Sequence, residues 1–387
     1  MRADGQVRRV VLVGGGHTHV QLLRDFAHSP LPDADLKVLV DKPTAVYSGM
    51  VPGFVAGQYR AEELQIDVKY LSEAARATLV PGKAVRVDRA AAQILLADGS
   101  SVSYDVASFD IGSTVAGLEQ PGVREFAVPT RPIDAFVGRV ADIIERARRH
   151  PRDSFRIAVI GGGSGGVELA FTLQQRMTRE ASTTVTTLLM EGGEWILKGY
   201  PESLVRRVYR SAARRGIDIR CNQRVQTVEE ESLLMTSGRR IACDVAVWVT
   251  GAVSQAIFKE SGFKTDRQGF VSTRSTLQVE GHDELFAAGD CATLSEYPNT
   301  PKAGVYAVRQ GPFLSHNLRA LLAGGPLRNY VPQKDFLTLL NLGDGTALGY
   351  KWGAAFQGKW VMRLKDYIDR RFMSRFEESL ETQRTRI

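Results

Sequence analysis

Glycines 161, 163 and 166, in the run FRIAVIGGGSGGVELA (155–170), have the spacing that brings a backbone up against a pyrophosphate. The first glycine makes a tight turn, the second admits the phosphate, and the third lets the following helix pack on its strand. The free N–H groups and positive end of that helix supply the attraction. Glu191 closes the next strand, TTVTTLLME (183–191). A carboxylate there accepts ribose hydroxyls and repels a 2′-phosphate, so NADH is expected rather than NADPH. Glu168, two residues past Gly166, either orients a nicotinamide and relays a proton or is only a helix-start carboxylate on the dipole.

A second run, RRVVLVGGGHTHVQLL (8–23), echoes the first. Gly14 and Gly16 hold two of the three positions, but His19 stands in the third, so helix and strand are expected to sit further apart there. His17 is read as lining the turn and His19 as a packing residue, because alternate positions at a helix start seldom aim at one ion. Asp41 ends the following strand, LKVLVD (36–41), in the ribose-binding position. Later, ELFAAGDCA (284–292) delivers Gly289 and Asp290 at the end of a short strand, where a carboxylate can hold a polyol hydroxyl. PKAGVYAVRQG (301–311) then opens a helix with Pro301 in its first turn, Lys302 as a point charge and Ala303 and Gly304 beside it. That helix end favours a ligand that becomes anionic. Cys291, with no partner base in view, reads as a packed thiol.

The elements that must position these residues follow from pattern and composition. The chain has 387 residues, 43% hydrophobic and 24% charged, enough for two or three domains with cores of their own. It has no apolar run of about 18 residues and no separate apolar segment before the first strand, so neither a membrane span nor a signal peptide is expected. Cys221, Cys243 and Cys291 lack CxxC spacing, which fits a reducing cytoplasm and excludes a zinc or disulfide scaffold. The net charge of +7 concentrates in 146–156, 205–215 and 359–375, read as solvated helix faces; no nucleic-acid motif accompanies it. Beta-branched runs followed by glycines and amphipathic helices predict an α/β fold with two Rossmann-like dinucleotide-binding domains and a small α+β C-terminal region. The expected boundaries are 1–115 with 281–330 for one discontinuous domain, 116–151 for a connector, 152–280 for the second domain and 331–387 for the tail. Between them AEELQIDVKYLSEAA (61–75) reads as helical. In the tail, Trp360, Val361, Leu364, Tyr367, Ile368, Phe372 and Phe376 recur at helical steps, flanked by Arg363, Lys365, Arg370, Arg371 and Arg375. That stripe, 360–376, suits an anionic membrane surface; the other reading packs it on the protein's own core or on a second subunit of a homodimer.

Two dinucleotide fingerprints about 147 residues apart, a TG strand end at Thr250 and Gly251, and the late FAAGDCA resemble the pyridine nucleotide-disulfide oxidoreductase superfamily of FAD and NAD(P)H enzymes. The resemblance implies FAD on the first, discontinuous domain and NAD(P)H on the second. It implies that Asp290 holds the ribityl chain, that Ala303 and Gly304 lie under the flavin pyrimidine edge, and that Lys302 steadies negative charge on reduced flavin. YSGMVPGFVAG (47–57) is similar to a loop of type II NADH dehydrogenases and sulfide:quinone reductases, with Tyr47, Pro52 and Gly57 matching. GGGHTHVQLL, PKAGVYAVRQGP and KDYIDRRFM resemble the FAD domain fused to selenide, water dikinase in some bacteria.

Three departures carry information. The stretch TAVYSGMVPGFVAGQY (44–59) has no cysteine where flavin disulfide reductases place a CxxxxC pair. Val305 and Arg309 replace polar positions of the quinone-side helix, and FDIGS (109–113) has Asp110 and Ile111 where the family has ATG. With no dithiol, electrons are expected to pass from flavin directly to a diffusible acceptor, foremost a quinone. The alternatives are a protein or small-metabolite acceptor, or a flavin-based redox sensor. Pro52, Gly53 and Phe54 are expected to form an apolar wall over the flavin. A cytoplasmic enzyme, peripheral on the cytoplasmic face of the membrane, is the resulting expectation.

Overall fold

The computed structural model describes residues 7–149, 154–181 and 183–384. The expected boundary at 151–152 and the two chain termini lie outside the described residues. Strands without polar alternation are buried on both faces and pair in parallel. So it is here: Val10 to Val13 are at most 1% exposed. The first sheet runs Leu285–Ala287, Val106–Phe109, Arg8–Val13, Ala34–Val40, Thr78–Pro81, all parallel. The second runs Ala127–Pro129, Val245–Trp248, Ser154–Ile160, Thr184–Met190, Ile217–Arg220, again all parallel. The helix His17–His28 covers the first sheet with Val20, Leu22, Leu23 and Phe26, and Ser164–Glu180 covers the second with Val167, Ala170, Phe171 and Leu173. Each unit also carries a three-stranded antiparallel meander, 84–103 in the first and 225–242 in the second. The α/β class with two Rossmann-like sheets is therefore the architecture observed.

Two segments differ from their expected roles. The connector 116–151 supplies the edge strand Ala127–Pro129 of the second sheet, and its helix Ile133–Arg148 packs on Ser164–Glu180. The stretch 61–75 is not one helix. Gln65–Asp67 pairs as a strand with Thr44–Val46, and the helix starts only at Val68, where Asp67 caps it by accepting from the Tyr70 N–H at 2.8 Å. The chain leaves the first unit and returns to it through one antiparallel pair, Thr114–Val115 with Ala252–Val253.

The tail forms an antiparallel ribbon, Thr338–Asn341, Ala347–Lys351 and Ala354–Gly358, and the final helix Lys359–Arg384. The predicted apolar stripe does not stay together. Val361, Phe372 and Phe376 turn inward, in line with Lys365 and Asp369, which are 7% and 4% exposed. Trp360, Tyr367 and Ile368 turn outward. Lys365, expected on the surface, is buried because its charge is answered: Nζ donates to Asp369 Oδ2 at 2.8 Å and to Gly49 O at 2.7 Å. Burial works against the ammonium, yet Asp369 and Glu168 outweigh it and leave its pKa raised. Tyr47 donates to Asp369 Oδ1 at 3.1 Å and stacks on Phe372 at 4.5 Å. Removing one partner of a buried pair leaves the other charge uncompensated, so Lys365→Met is expected to destabilise the protein by about 3–5 kcal/mol. Adding Asp369→Asn should recover part of that loss. Urea unfolding of the two variants measures both effects, and an unchanged midpoint for Lys365→Met would remove this pair as the anchor.

Candidate functional site

The glycine turn of the second unit is built on close backbone approach. Gly161 has φ +124°, and a β-carbon on it would meet Val249 O at 2.4 Å. At Gly166 a β-carbon would lie 1.7 Å from Gly161 O, so helix and strand touch there. Gly163, which precedes the helix Ser164–Glu180, and Gly251 face open space, with nothing within 4 Å of where a β-carbon would stand. Glu191 reaches this turn. Its Oε2 accepts from Gly162 N at 2.8 Å and its Oε1 from Gly193 N at 2.6 Å, which fixes a carboxylate beside the open glycines.

In the first unit His19 does the joining. Its Nδ1 bonds Gly14 O at 2.7 Å and its Nε2 bonds Ser108 Oγ at 2.8 Å. Burial pushes its pKa down to about 4, so the ring is neutral and structural. Asp110, at the end of strand Val106–Phe109, lies under the helix start: Oδ2 accepts from Thr18 N at 2.7 Å and His19 N at 3.1 Å. A β-carbon on Gly16 would fall 2.3 Å from that carboxyl, and one on Gly289 would fall 2.5 Å from Oδ1. Burial raises Asp110 to about 7 against the pull of the two N–H groups, with Asp290 adding to the rise. Asp290 itself pairs with Arg131 at 3.1 Å. His17 faces the same space; its Nε2 is buried without a hydrogen-bond partner, and its ring lies 5.5 Å from Tyr47 and 6.3 Å from Phe372. Burial pushes its pKa down, and Arg131 adds to this while Asp290 opposes. Asp41 is exposed at its strand end. A glycine cradle, helix N–H groups, Asp290 and an orphaned imidazole nitrogen make a donor set that fits FAD.

Two expectations are corrected. Lys302 does not serve the end of the helix Gly304–Ala323. Its Nζ donates to Ala292 O and to Thr293 Oγ1 (2.8 Å) and sits 4.2 Å over the Phe270 ring, so the ammonium stitches a neighbouring strand. Beside that helix start stands instead Ser48, whose Oγ lies 3.5 Å from a β-carbon position on Gly304. Pro52 and Gly53 lie buried in the short helix Val51–Val55, where a β-carbon on Gly53 would strike the Tyr59 ring at 2.3 Å. Of the three residues expected to form an apolar wall over the flavin, these two are interior packing, and Phe54 is half-buried. Gln310, in the helix Gly304–Ala323, accepts from Gly289 N at 2.6 Å and holds the turn. The three cysteines are free; burial pushes Cys243 and Cys291 up to about 12, and Cys221 bonds the Tyr209 hydroxyl at 3.4 Å.

Glu168 joins a cluster drawn from three parts of the chain. Its Oε1 accepts from Asn341 N, on the C-terminal ribbon, at 2.8 Å. Burial raises it to about 7; Lys365 and the Asn341 N–H oppose, and Asp369 adds. Asp110, Arg131, Asn341, Lys365 and Asp369 are the site residues the sequence reading missed. Only Asp110 left a signal, an acid closing the apolar strand VASF.

Residues 8–311 match the family model described as pyridine nucleotide-disulphide oxidoreductase, and the chain belongs to that family. Among its relatives, the NADH dehydrogenase-like protein YutJ of Bacillus subtilis is 25% identical over 310 residues, 78% of this chain and 81% of that one. A type II NADH:quinone oxidoreductase of Staphylococcus saprophyticus is 21% identical over 386 residues, 94% of each chain. Among solved structures, the sulfide:quinone oxidoreductase of Aquifex aeolicus superposes with a TM-score of 0.81 at 16% identity, covering 96% of this chain and 92% of that one. NDH2 of Plasmodium falciparum, in complex with NADH, gives 0.76 at 12% identity, covering 94% and 97%. The chain is thus an NAD(P)H oxidoreductase of the flavoprotein type, as the resemblance implied.

The raised Glu168 carboxyl predicts a pH signature. Below its ordinary value of 4.5 the acid is protonated folded and unfolded alike. Between 4.5 and about 7 the folded state keeps a proton that the unfolded state releases, so stability falls as pH rises. The loss is complete above 7 and amounts to about 3 kcal/mol. Glu168→Gln is expected to raise the urea midpoint at pH 8 and to leave it nearly unchanged at pH 4.5. Equal gains at both pH values would mean that the carboxyl is ionised throughout.

Proposed function

We propose that the protein passes electrons from NADH through FAD to a quinone. The observation that carries this reading is what occupies the place of a redox disulfide. Beside the cysteine-free stretch 44–59 stands a buried set of exchangeable groups, Tyr47, Asp369, Lys365 and Glu168. A quinone that takes two electrons must also take two protons. A carboxyl held near 7 can release and regain one at neutral pH, which suits Glu168 to general acid work or to relaying a proton. FAD, when bound, supplies hydride acceptance and onward electron transfer. For the chain's own part, Gly14, Gly16, His17, Gly289, Asp290, Ala303 and Gly304 would hold that cofactor, with Asp41 toward its ribose. Gly161, Gly163, Gly166 and Gly251 would hold NADH, and the fixed carboxylate of Glu191 disfavours the 2′-phosphate of NADPH. The type II NADH:quinone oxidoreductases and the demethylphylloquinone reductase NdbB of Synechocystis among the relatives support the choice of acceptor.

The outer side of the C-terminal helix, with the turn at Trp352 that precedes it, supports a peripheral membrane position on the cytoplasmic face. Trp352 is 85% exposed, Trp360 55% and Tyr367 58%, with Ile368, Arg363 and Arg371 beside them. Aromatic rings with neighbouring bases suit an anionic bilayer interface. No helix among the described residues is long and apolar enough to cross a membrane.

Anaerobic stopped-flow mixing tests the reaction. NADH should bleach the flavin faster than NADPH, and a short-chain quinone should restore its colour rapidly. Glu168→Gln should slow the quinone step by about 100-fold or more and flatten its pH dependence near 7. Reoxidation by no quinone, or an equal response to both nucleotides, would set aside the acceptor or the NADH preference respectively. For the surface, Trp352→Ala with Trp360→Ala should reduce cosedimentation with anionic vesicles. Unchanged or absent sedimentation of both proteins would remove membrane contact through this patch.

A further inference from the structure

The N–H groups at the start of His17–His28 are what a diphosphate would take, yet two are already engaged, those of Thr18 and His19 on Asp110 Oδ2. The N–H groups of Gly15 and His17 carry no hydrogen bond among the described residues. Asp110 is only 3% exposed, and its second oxygen faces Gly289. Among the described residues no cation answers its charge. The His19 ring is turned to Gly14 O and Ser108, Arg131 is paired with Asp290, and Lys302 with Ala292 and Thr293. The remaining charged group that faces it is the Asp290 carboxylate, which disfavours a second negative charge, while the Cys291 thiol, pushed up to about 12 by burial, is uncharged there. A diphosphate would bring two more charges to the same helix end.

We propose that Asp110 couples FAD binding to the uptake of one proton: as a neutral acid it shares the helix end with the cofactor's diphosphate, and as a carboxylate it competes with it. This rests on the FAD reading given above. The diphosphate stays ionised across neutral pH, and burial holds the His17 pKa down. Glu168 also titrates near 7, but it belongs to the second unit and is separated from Asp110 by use of a variant.

The test is FAD binding to flavin-free protein, followed by quenching of flavin fluorescence from pH 5.5 to 9. Calorimetry at pH 8 in two buffers of different ionisation enthalpy counts protons. With Asp110 titrating at about 7 in the free protein, Kd should be level below pH 7 and rise about tenfold per unit above it, about 100-fold between pH 6 and 9. Calorimetry should register close to one proton taken up. Asp110→Asn should bind with a pH-independent Kd, whereas Glu168→Gln should keep the wild-type slope. A wild-type Kd that does not change with pH, with no proton taken up, overturns the proposal and needs no variant to fold. Loss of the slope in Glu168→Gln overturns it as well, by assigning the proton elsewhere. A wild-type protein that binds no FAD at any pH sinks the cofactor reading and this proposal with it.

Discussion

Each parallel sheet presses a helix start against a strand end, and the room left between them decides what that end can hold. In the second unit the gap is closed to the limit, since at Gly166 there is no space for even a methyl group over Gly161 O. In the first unit the third glycine is missing, and the wider gap is bridged by the His19 imidazole, bonded to Gly14 O on one side and Ser108 on the other. The Asp110 carboxyl lies beneath the same helix start. The position that breaks the repeated motif thus takes part in the packing of a helix start that also carries a buried acid.

Charge burial elsewhere obeys a simple division. Asp369 is buried with a lysine against it and can remain an ion pair. Glu168 has Lys365 only as a more distant influence, and Asp110 has no cation among the described residues; both are therefore raised to about 7 by burial. The first arrangement serves docking of a helix. The other two leave protonatable acids, one under the start of the helix His17–His28 and one against the C-terminal ribbon.

The sequence made the repeated strand–turn–helix units legible because their signals are local: β-branched runs, glycines at fixed offsets, an acid closing a strand. Glu191 was readable on that basis. What could not be read is long-range partnership. Counting apolar residues along 360–376 predicts one face, but Lys365 and Asp369 neutralise each other and become buriable, which rotates the inward line to Val361, Lys365, Asp369, Phe372 and Phe376. Lys302 precedes a helix start in sequence, yet its stem reaches back to the strand Ala292–Leu294, where a carbonyl, a hydroxyl and the Phe270 ring receive the ammonium. Arg131 sits in a segment with no motif, and only the fold brings it to Asp290.

The strand pair Thr114–Val115 with Ala252–Val253 has a consequence for how such a chain can arise. Ala116 N bonds Gly251 O at 2.8 Å, so the points of departure and return are neighbours in one ladder. In topological terms the entire second unit is the loop of a hairpin. Its ends already stand where a tight turn would put them, so exchanging a turn for a folded copy of the first unit leaves the host sheet's connectivity intact, and closure entropy rises only slowly with the length inserted. A duplicated gene segment could enter at that one joint without either unit having to unlearn its fold.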